Sequence, residues 1–257
     1  MKKSFKIRQY WFVLLELTKR ELKRKYSRSF LGMLWSCIYP LLRMALVVFL
    51  FSTIFNKGIP KYPAYFFAGF LVFEFFANAT QTSLTTLRDN RDLIIKSKLP
   101  RELFVLSRVL TAFVNFLLGC IPFALVLAWY RVDITYYAIL VPVILVLLIA
   151  FTTGVSYMLS ICFVFSKDIQ NVYSNFIYII RYFVAMFYSV DWVSDGVRYV
   201  ILHNPLYAFT KIVREYIVYG NNVELFYITE IIIWSVGIYI IGKIVFGKYE
   251  NNVVEKL

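Results

Sequence analysis

Three ionisable side chains stand inside otherwise apolar stretches of this 257-residue chain: Arg43, Glu74 and Arg181. An ionised residue at mid-bilayer costs about 2.5–3.5 kcal/mol on insertion scales, so the three would cost about 8–10 kcal/mol if they faced lipid. They must therefore face protein or water. Each has polar company at helical spacing. Gly32, Ser36 and Tyr39 align with Arg43, and Asn78, Gln81, Thr82, Thr85 and Arg88 align with Glu74. Asn171, Ser174, Asn175, Tyr178, Tyr182, Ala185, Tyr188 and Ser189 share with Arg181 an arc of about 140° at 100° per residue. Two readings stand side by side. In one, Glu74 neutralises an arginine across a helix interface and the cluster is structural. In the other, Ser36, Tyr39, Arg43, Glu74, Asn78, Tyr178, Arg181, Tyr182 and Tyr188 line a pathway for a polar substrate. Tyrosine beside arginine suits sugars and phosphates, because rings cover apolar sugar faces and guanidinium groups pair with phosphate.

No catalytic constellation accompanies these stripes. His203 is the only histidine, and Cys37, Cys120 and Cys162 are odd in number and scattered through apolar runs, which gives no disulfide framework or metal motif. The run from Gly242 through Gly247 and Lys248 fits most of a phosphate-binding loop, but Tyr249 stands where Ser or Thr belongs, at the end of an apolar helix. Asn78-Ala79-Thr80 matches a glycosylation acceptor, yet falls in an apolar segment. The expectation is a chain that is no enzyme and binds no metal or cofactor itself.

The elements that position the stripes follow from composition. Hydrophobic residues make up 60% of the chain, aromatic 19% and charged 17%, and the mean hydropathy is +0.68. That is too apolar for one soluble domain. A bilayer core about 30 Å thick needs about 20 helical residues per crossing. The apolar runs predict an all-α integral membrane protein, one transmembrane domain over 1–257, with six crossings at 31–55, 62–87, 103–130, 136–165, 171–190 and 225–246. Residues 9–28 read as an amphipathic helix in the membrane interface, with Trp11, Leu15, Thr18, Leu22 and Tyr26 on one stripe and basic residues opposite. Its apolar stretch is too short, and lacks the small-residue site, for a cleaved signal.

The net charge of +13 fits membrane topology and anionic lipid rather than nucleic acid. Of the 28 Lys and Arg, 20 fall on the side shared by both termini and six on the other, with Arg43 and Arg181 in the crossings. Both termini are therefore expected in the cytoplasm. The long outer connection, 191–224, has the aromatic content of short helices dipping back into the outer leaflet. The cytoplasmic connection 88–102 sets Leu93, Ile94, Ile95 and Leu99 among charges that include Asp92, Lys96 and Arg101. A short helix there would either dock into a groove on a soluble partner or rest on lipid.

In order and spacing, these features resemble the transmembrane subunits of type-2 ABC exporters, closest to permeases for polysaccharide or polyol phosphate such as O-antigen, capsule and teichoic acid. The residues that carry the resemblance are Leu31-Gly32-Met33-Leu34-Trp35 with Pro40, Gly69 before Phe73-Glu74-Phe75-Phe76, Leu93, Lys96 and Pro100-Arg101-Glu102, Lys167-Asp168-Ile169, and Asn204-Pro205-Leu206 with Arg214. Two departures stand out: Lys167 replaces the usual arginine, and 185–187 lacks the proline often found there. The resemblance implies a homodimer in a bacterial or archaeal cytoplasmic membrane, joined by two ATP-binding subunits that carry ATP and Mg. It also implies that the interfacial helix and Asp92, Leu93, Ile94, Lys96, Pro100, Arg101, Lys167 and Asp168 meet that partner, and that a lipid-linked glycan is exported. An exporter of a smaller lipid or drug from the same superfamily would share this outline. An ion-coupled carrier would instead favour paired acidic relays and broken helices.

Overall fold

A computed structural model describes residues 7–27, 29–54, 58–97 and 99–256, without the side chains of 52–54 and 251–256. The described chain is all-helical, and eleven α-helices follow one another. They are α1 Ile7–Tyr26, α2 Trp35–Ile54, α3 Tyr62–Leu84, α4 Thr86–Asp89, α5 Arg91–Lys96, α6 Glu102–Trp129, α7 Val141–Phe165, α8 Ile169–Ile180, α9 Asp195–Leu202, α10 Pro205–Arg214 and α11 Leu225–Lys256. Among the described residues, four helical segments are long and apolar enough to cross a membrane: Gly32–Phe51, Glu102–Trp129, Tyr136–Phe165 and Leu225–Glu250. The protein is thus a multi-pass membrane protein.

Helix α3 is the hub, packed against α2, α6, α7, α8 and α10. Phe66, Phe67, Phe70 and Phe73 are buried almost completely. Phe67 stacks on Phe123 of α6 at 5.4 Å, and Phe76 on Phe151 of α7 at 5.7 Å. Such pairs add about 0.5–1.5 kcal/mol each beyond burial. Because neighbours surround α3, its sequence need not match the apolarity of a lipid-facing helix. That is why it carries Glu74, Asn78 and Gln81.

Between lipid-embedded helices, attraction comes from close packing rather than from excluded water. The α7–α11 seam uses this. A Cβ placed on Gly154 would overlap the backbone of Ile238, and one on Gly242 would overlap the backbone of Gly154. Gly242, which opens the phosphate-loop look-alike, is therefore a packing residue inside a helix.

Several expected boundaries shift. Helix α1 begins at Ile7, and the far end of the first expected crossing, residue 55, lies outside the described residues, as do Arg28 and Lys98. The interfacial stripe splits: its Thr18 is buried on a face shared with Leu14, Leu17 and Glu21, whereas its Trp11 and Leu15 are exposed. The inward face is the one that meets α6, and it carries polar groups to be paired there. Helix α3 stops at Leu84 instead of 87, which puts exposed Arg88 on separate α4 and off the Glu74 stripe. Helix α11 runs ten residues beyond the expected 246.

The largest correction concerns 171–190. The helix there ends at Ile180, passes through a 3-10 turn at Tyr182–Val184, and turns at Ala185 with φ 47°. Its twelve helical residues rise about 18 Å, short of a hydrocarbon core of about 30 Å. Ala185, Tyr188 and Ser189 leave the Arg181 face.

Candidate functional site

A cavity of about 360 Å³ lies between the end of α1 and helices α2, α3 and α6. Ser36 and Tyr39 enter it from α2, Glu74 and Asn78 from α3, and Tyr26 from α1. Four of the nine residues expected along a polar pathway therefore meet in one place. Asn115 of α6 joins them. Its Oδ1 accepts from the Tyr26 hydroxyl at 2.6 Å and from Ser36 Oγ at 3.3 Å. Tyr26, Ser36 and Asn115 are thus joined by hydrogen bonds across α1, α2 and α6.

The charges sit beside this cavity. Arg181 Nη2 approaches Glu74 Oε2 at 3.8 Å, so the cross-helix neutralisation expected from sequence exists. The contact is loose: Glu74 Oε2 and Arg181 Nε are buried without a hydrogen-bond partner among the described residues, as is Asn115 Nδ2. A buried polar atom left unpaired costs about 1–3 kcal/mol. The Arg43 guanidinium lies over the Tyr39 ring at 5.0 Å, and that of Arg181 over Phe73 at 5.3 Å. Tyr178 of α8 and Tyr182 of the 3-10 turn that follows are exposed and do not line the cavity. Tyr188 lies beyond the helix, and its hydroxyl donates to the Tyr182 carbonyl at 2.7 Å.

Unwound backbone survives in a membrane only where its polar groups are satisfied internally. After α8, side-chain donors reach the carbonyls of Phe183, Ala185, Met186, Phe187 and Tyr188. Asn204 Nδ2 donates to Phe183 at 3.0 Å, and the Tyr65 hydroxyl to Ala185 at 3.1 Å and Tyr188 at 2.8 Å. Arg214 donates to Ala185 at 3.2 Å and Met186 at 3.3 Å, and the Tyr62 hydroxyl to Phe187 at 2.9 Å. Arg214 is 3% exposed, with its guanidinium 3.6 Å from the Tyr65 ring centroid. A Cβ on Gly69 would run into that guanidinium, so the glycine is explained by the arginine.

The opposite end of α3 carries the connection to α6. Asp92 and Lys96 are exposed on α5, Leu93, Pro100 and Arg101 are half-buried, and Lys167 and Asp168 are exposed after α7. Ile94 is a correction: it is buried in the chain's own cluster with Leu14, Leu87 and Leu103, so it cannot offer itself to a partner. Ile95, one residue on, is exposed. Arg101 donates to the carbonyl of Glu250 and ties this end to α11.

An ion cluster unforeseen from sequence binds α1 to the same end. Arg108 of α6 meets Glu21 at 2.8 Å and Asp89 at 2.9 Å, with Arg24 beside Asp89 at 3.7 Å. The Tyr10 hydroxyl donates to Glu102 at 3.0 Å, and burial first, then the Glu102 charge, pushes the Tyr10 pKa up. Helix α1, α4 and the start of α6 are thus joined by side-chain contacts.

A membrane bundle with this layout matches a known family over most of its length. The model for the ABC-2 type transporter matches residues 13–218. The chain belongs to the ABC-2 type transporter family. An O-antigen export system permease protein RfbA from Myxococcus xanthus is 32% identical over 188 residues, covering 73% of this chain and 72% of that protein. A protein of the same name from Klebsiella pneumoniae is 26% identical over 249 residues, covering 95% and 96%. The chain is a permease of an ABC-2 exporter, homologous to these O-antigen export permeases.

Proposed function

We propose that this permease moves a lipid-linked polysaccharide out across a bacterial cytoplasmic membrane. Two copies act with two copies of a separate subunit that binds ATP and Mg. The observation that carries the reading is the cavity among α1, α2, α3 and α6: hydroxyl, amide and tyrosine groups meet a loosely paired Glu74–Arg181 couple inside an apolar bundle. The relatives' names point the same way for substrate class. The sugar head group passes along Ser36, Tyr39, Glu74 and Asn78, with Arg43, Tyr178, Arg181, Tyr182 and Tyr188 flanking it. The lipid travels beside the bundle.

Six crossings enclose this route, in the segments containing α2, α3, α6, α7, α8 and α11, with α8 completed by the capped, unwound 182–188. The lysine and arginine bias sets both termini in the cytoplasm. Helices α9 and α10, in the 191–224 connection, dip into the outer leaflet. The 88–102 connection couples to the partner through Asp92, Leu93, Ile95, Lys96, Pro100 and Arg101, with Lys167 and Asp168 beside them. Because the Glu21–Arg108–Asp89 cluster joins α1 to α4, a push on this connection also moves the interfacial helix.

Proteoliposomes holding the permease with its ATP-binding partner test this. Lipid-linked glycan should cross with ATP and stay with a non-hydrolysable analogue. Export driven by an ion gradient without the partner would contradict the proposal.

A further inference from the structure

A second cavity, of about 700 Å³, lies at the far end of α3 from the interfacial helix, between Pro60, Tyr65 and the 191–224 connection. Its volume falls in the range of small-ligand sites, about 300–1,000 Å³. Tyr207, Tyr219 and Tyr227 are among the residues that line it, and Trp192, 40% exposed, lines it as well. Such rings offer broad apolar faces with polar tips, the surface that a pyranose ring covers with its C–H face.

The charges decide what kind of ligand fits. The chain carries a net +13, yet this cavity takes three bases, Arg198, Lys211 and Arg214, and three acids, Asp191, Glu215 and Glu224. The local charge is balanced. Carboxylates accept from sugar hydroxyls and cations donate to them. Arg214 is already committed to the carbonyls of Tyr65, Ala185 and Met186, so a phosphate polymer would meet three carboxylates against the two remaining cations, Arg198 and Lys211. The ion pairs here are wide and wet: Arg198–Asp191 is 3.3 Å with Asp191 74% exposed, and Lys211–Glu224 is 4.0 Å. Exposed pairs contribute about 0–1 kcal/mol and exchange partners readily. Glu215 and Tyr219 reach the cavity from a π-helical turn closed by Gly220 at φ 70°. Such turns are rare and frequent at functional sites.

We propose that this cavity is a saccharide subsite that takes uncharged sugar units of the exported glycan and discriminates against polyol phosphate. The inference rests on the proposed function for the side it faces, which is extracytoplasmic. Tyrosine and tryptophan faces hold the ring, and the balanced charges read its hydroxyls.

The test uses the complete complex with its ATP-binding partner in nanodiscs. The probes are tritium-labelled neutral polysaccharide cleaved from its lipid and a glycerol phosphate oligomer of matched length. Polysaccharide should be retained saturably and the oligomer no better than by empty nanodiscs. Trp192→Ala should weaken retention about tenfold while ATP hydrolysis persists, and Trp192→Phe should restore it to within about threefold. Arg198→Gln, a surface change, should weaken retention without loss of folded complex. Equal retention of the glycerol phosphate oligomer, or retention indifferent to both Trp192→Ala and Arg198→Gln, overturns the subsite. A complex that exports in proteoliposomes yet gives either result defeats this inference alone; one that fails to export with ATP defeats the proposed function.

Discussion

Arg214 donates through Nη1 to the carbonyl of Ala185, 29 residues earlier, at 3.2 Å, and Ala185 is the residue whose backbone turns left-handed to end the α8 segment. The same guanidinium reaches Met186 and, through Nε, the Tyr65 carbonyl at 3.0 Å. One buried cation thus fixes the unwound backbone to both α3 and α10. Replacing Arg214 with Met should lower the unfolding free energy in detergent by about 2–4 kcal/mol, since the Tyr65, Ala185 and Met186 carbonyls each lose one hydrogen bond. Gly69→Ala should act on the same contact, so the double variant should be less destabilised than the two single effects added together. Simple additivity in a thermal-shift series would contradict the shared contact.

The connection before α6 separates two neighbours. Ile95→Asp should leave a folded permease that recovers less ATP-binding partner on purification. Ile94→Asp should instead reduce the folded permease itself, because Ile94 packs beneath the connection against Leu14, Leu87 and Leu103. Size-exclusion profiles with and without partner distinguish the outcomes. Matching profiles for the two variants would refute the assignment of faces.

Arg108 is held by two acids, so Arg108→Met leaves Glu21 and Asp89 with only the more distant Arg24, at 3.9 and 3.7 Å. Breaking a buried pair from one side costs about 3–5 kcal/mol. The expected result is loosening of α1, seen as faster proteolysis at 7–26, with ATP hydrolysis no longer producing export. The triple replacement by neutral residues of similar size should recover stability but not coupling.

Gly242→Leu should separate α7 from α11 and sharply lower thermal stability, whereas Lys248→Ala should leave nucleotide turnover by the complex unchanged. A loss of turnover with Lys248→Ala would revive the phosphate-loop match. Its physical explanation at present is a glycine–backbone contact inside a membrane helix.

Much of this was legible in the sequence, and the failures have identifiable causes. The polar stripe of α3 could be read because Glu74 and Asn78 are costly in lipid and so announce a buried face. The break at Ala185 could not, because the groups that cap it come from Tyr62 and Tyr65 on one side and Asn204 and Arg214 on the other. Nothing local marks a helix end that distant donors create. Arg108 counts in the sequence only as one of the topology charges, and Glu21 and Asp89 have no reading there, although an acid and a base recurring near helix ends could have suggested a pair. Asn115, alone in the apolar run of α6, carried the same signal as Glu74 in weaker form. The inward turn of Thr18 and Glu21 follows from what α1 meets on α6, which helical periodicity by itself leaves undetermined.

The claim that a polar substrate crosses beside Glu74 is tested most directly by thiol labelling. In complexes with Cys37, Cys120 and Cys162 replaced by Ala, single cysteines at Asn78, Asn115 and Leu46, an apolar residue on the exposed face of α2, are treated with a membrane-impermeant maleimide during ATP turnover. Positions 78 and 115 should react rapidly and be protected by added lipid-linked glycan, while position 46 stays inert throughout. If 78 and 115 label no faster than 46, the cavity is sealed from water and the glycan takes another route.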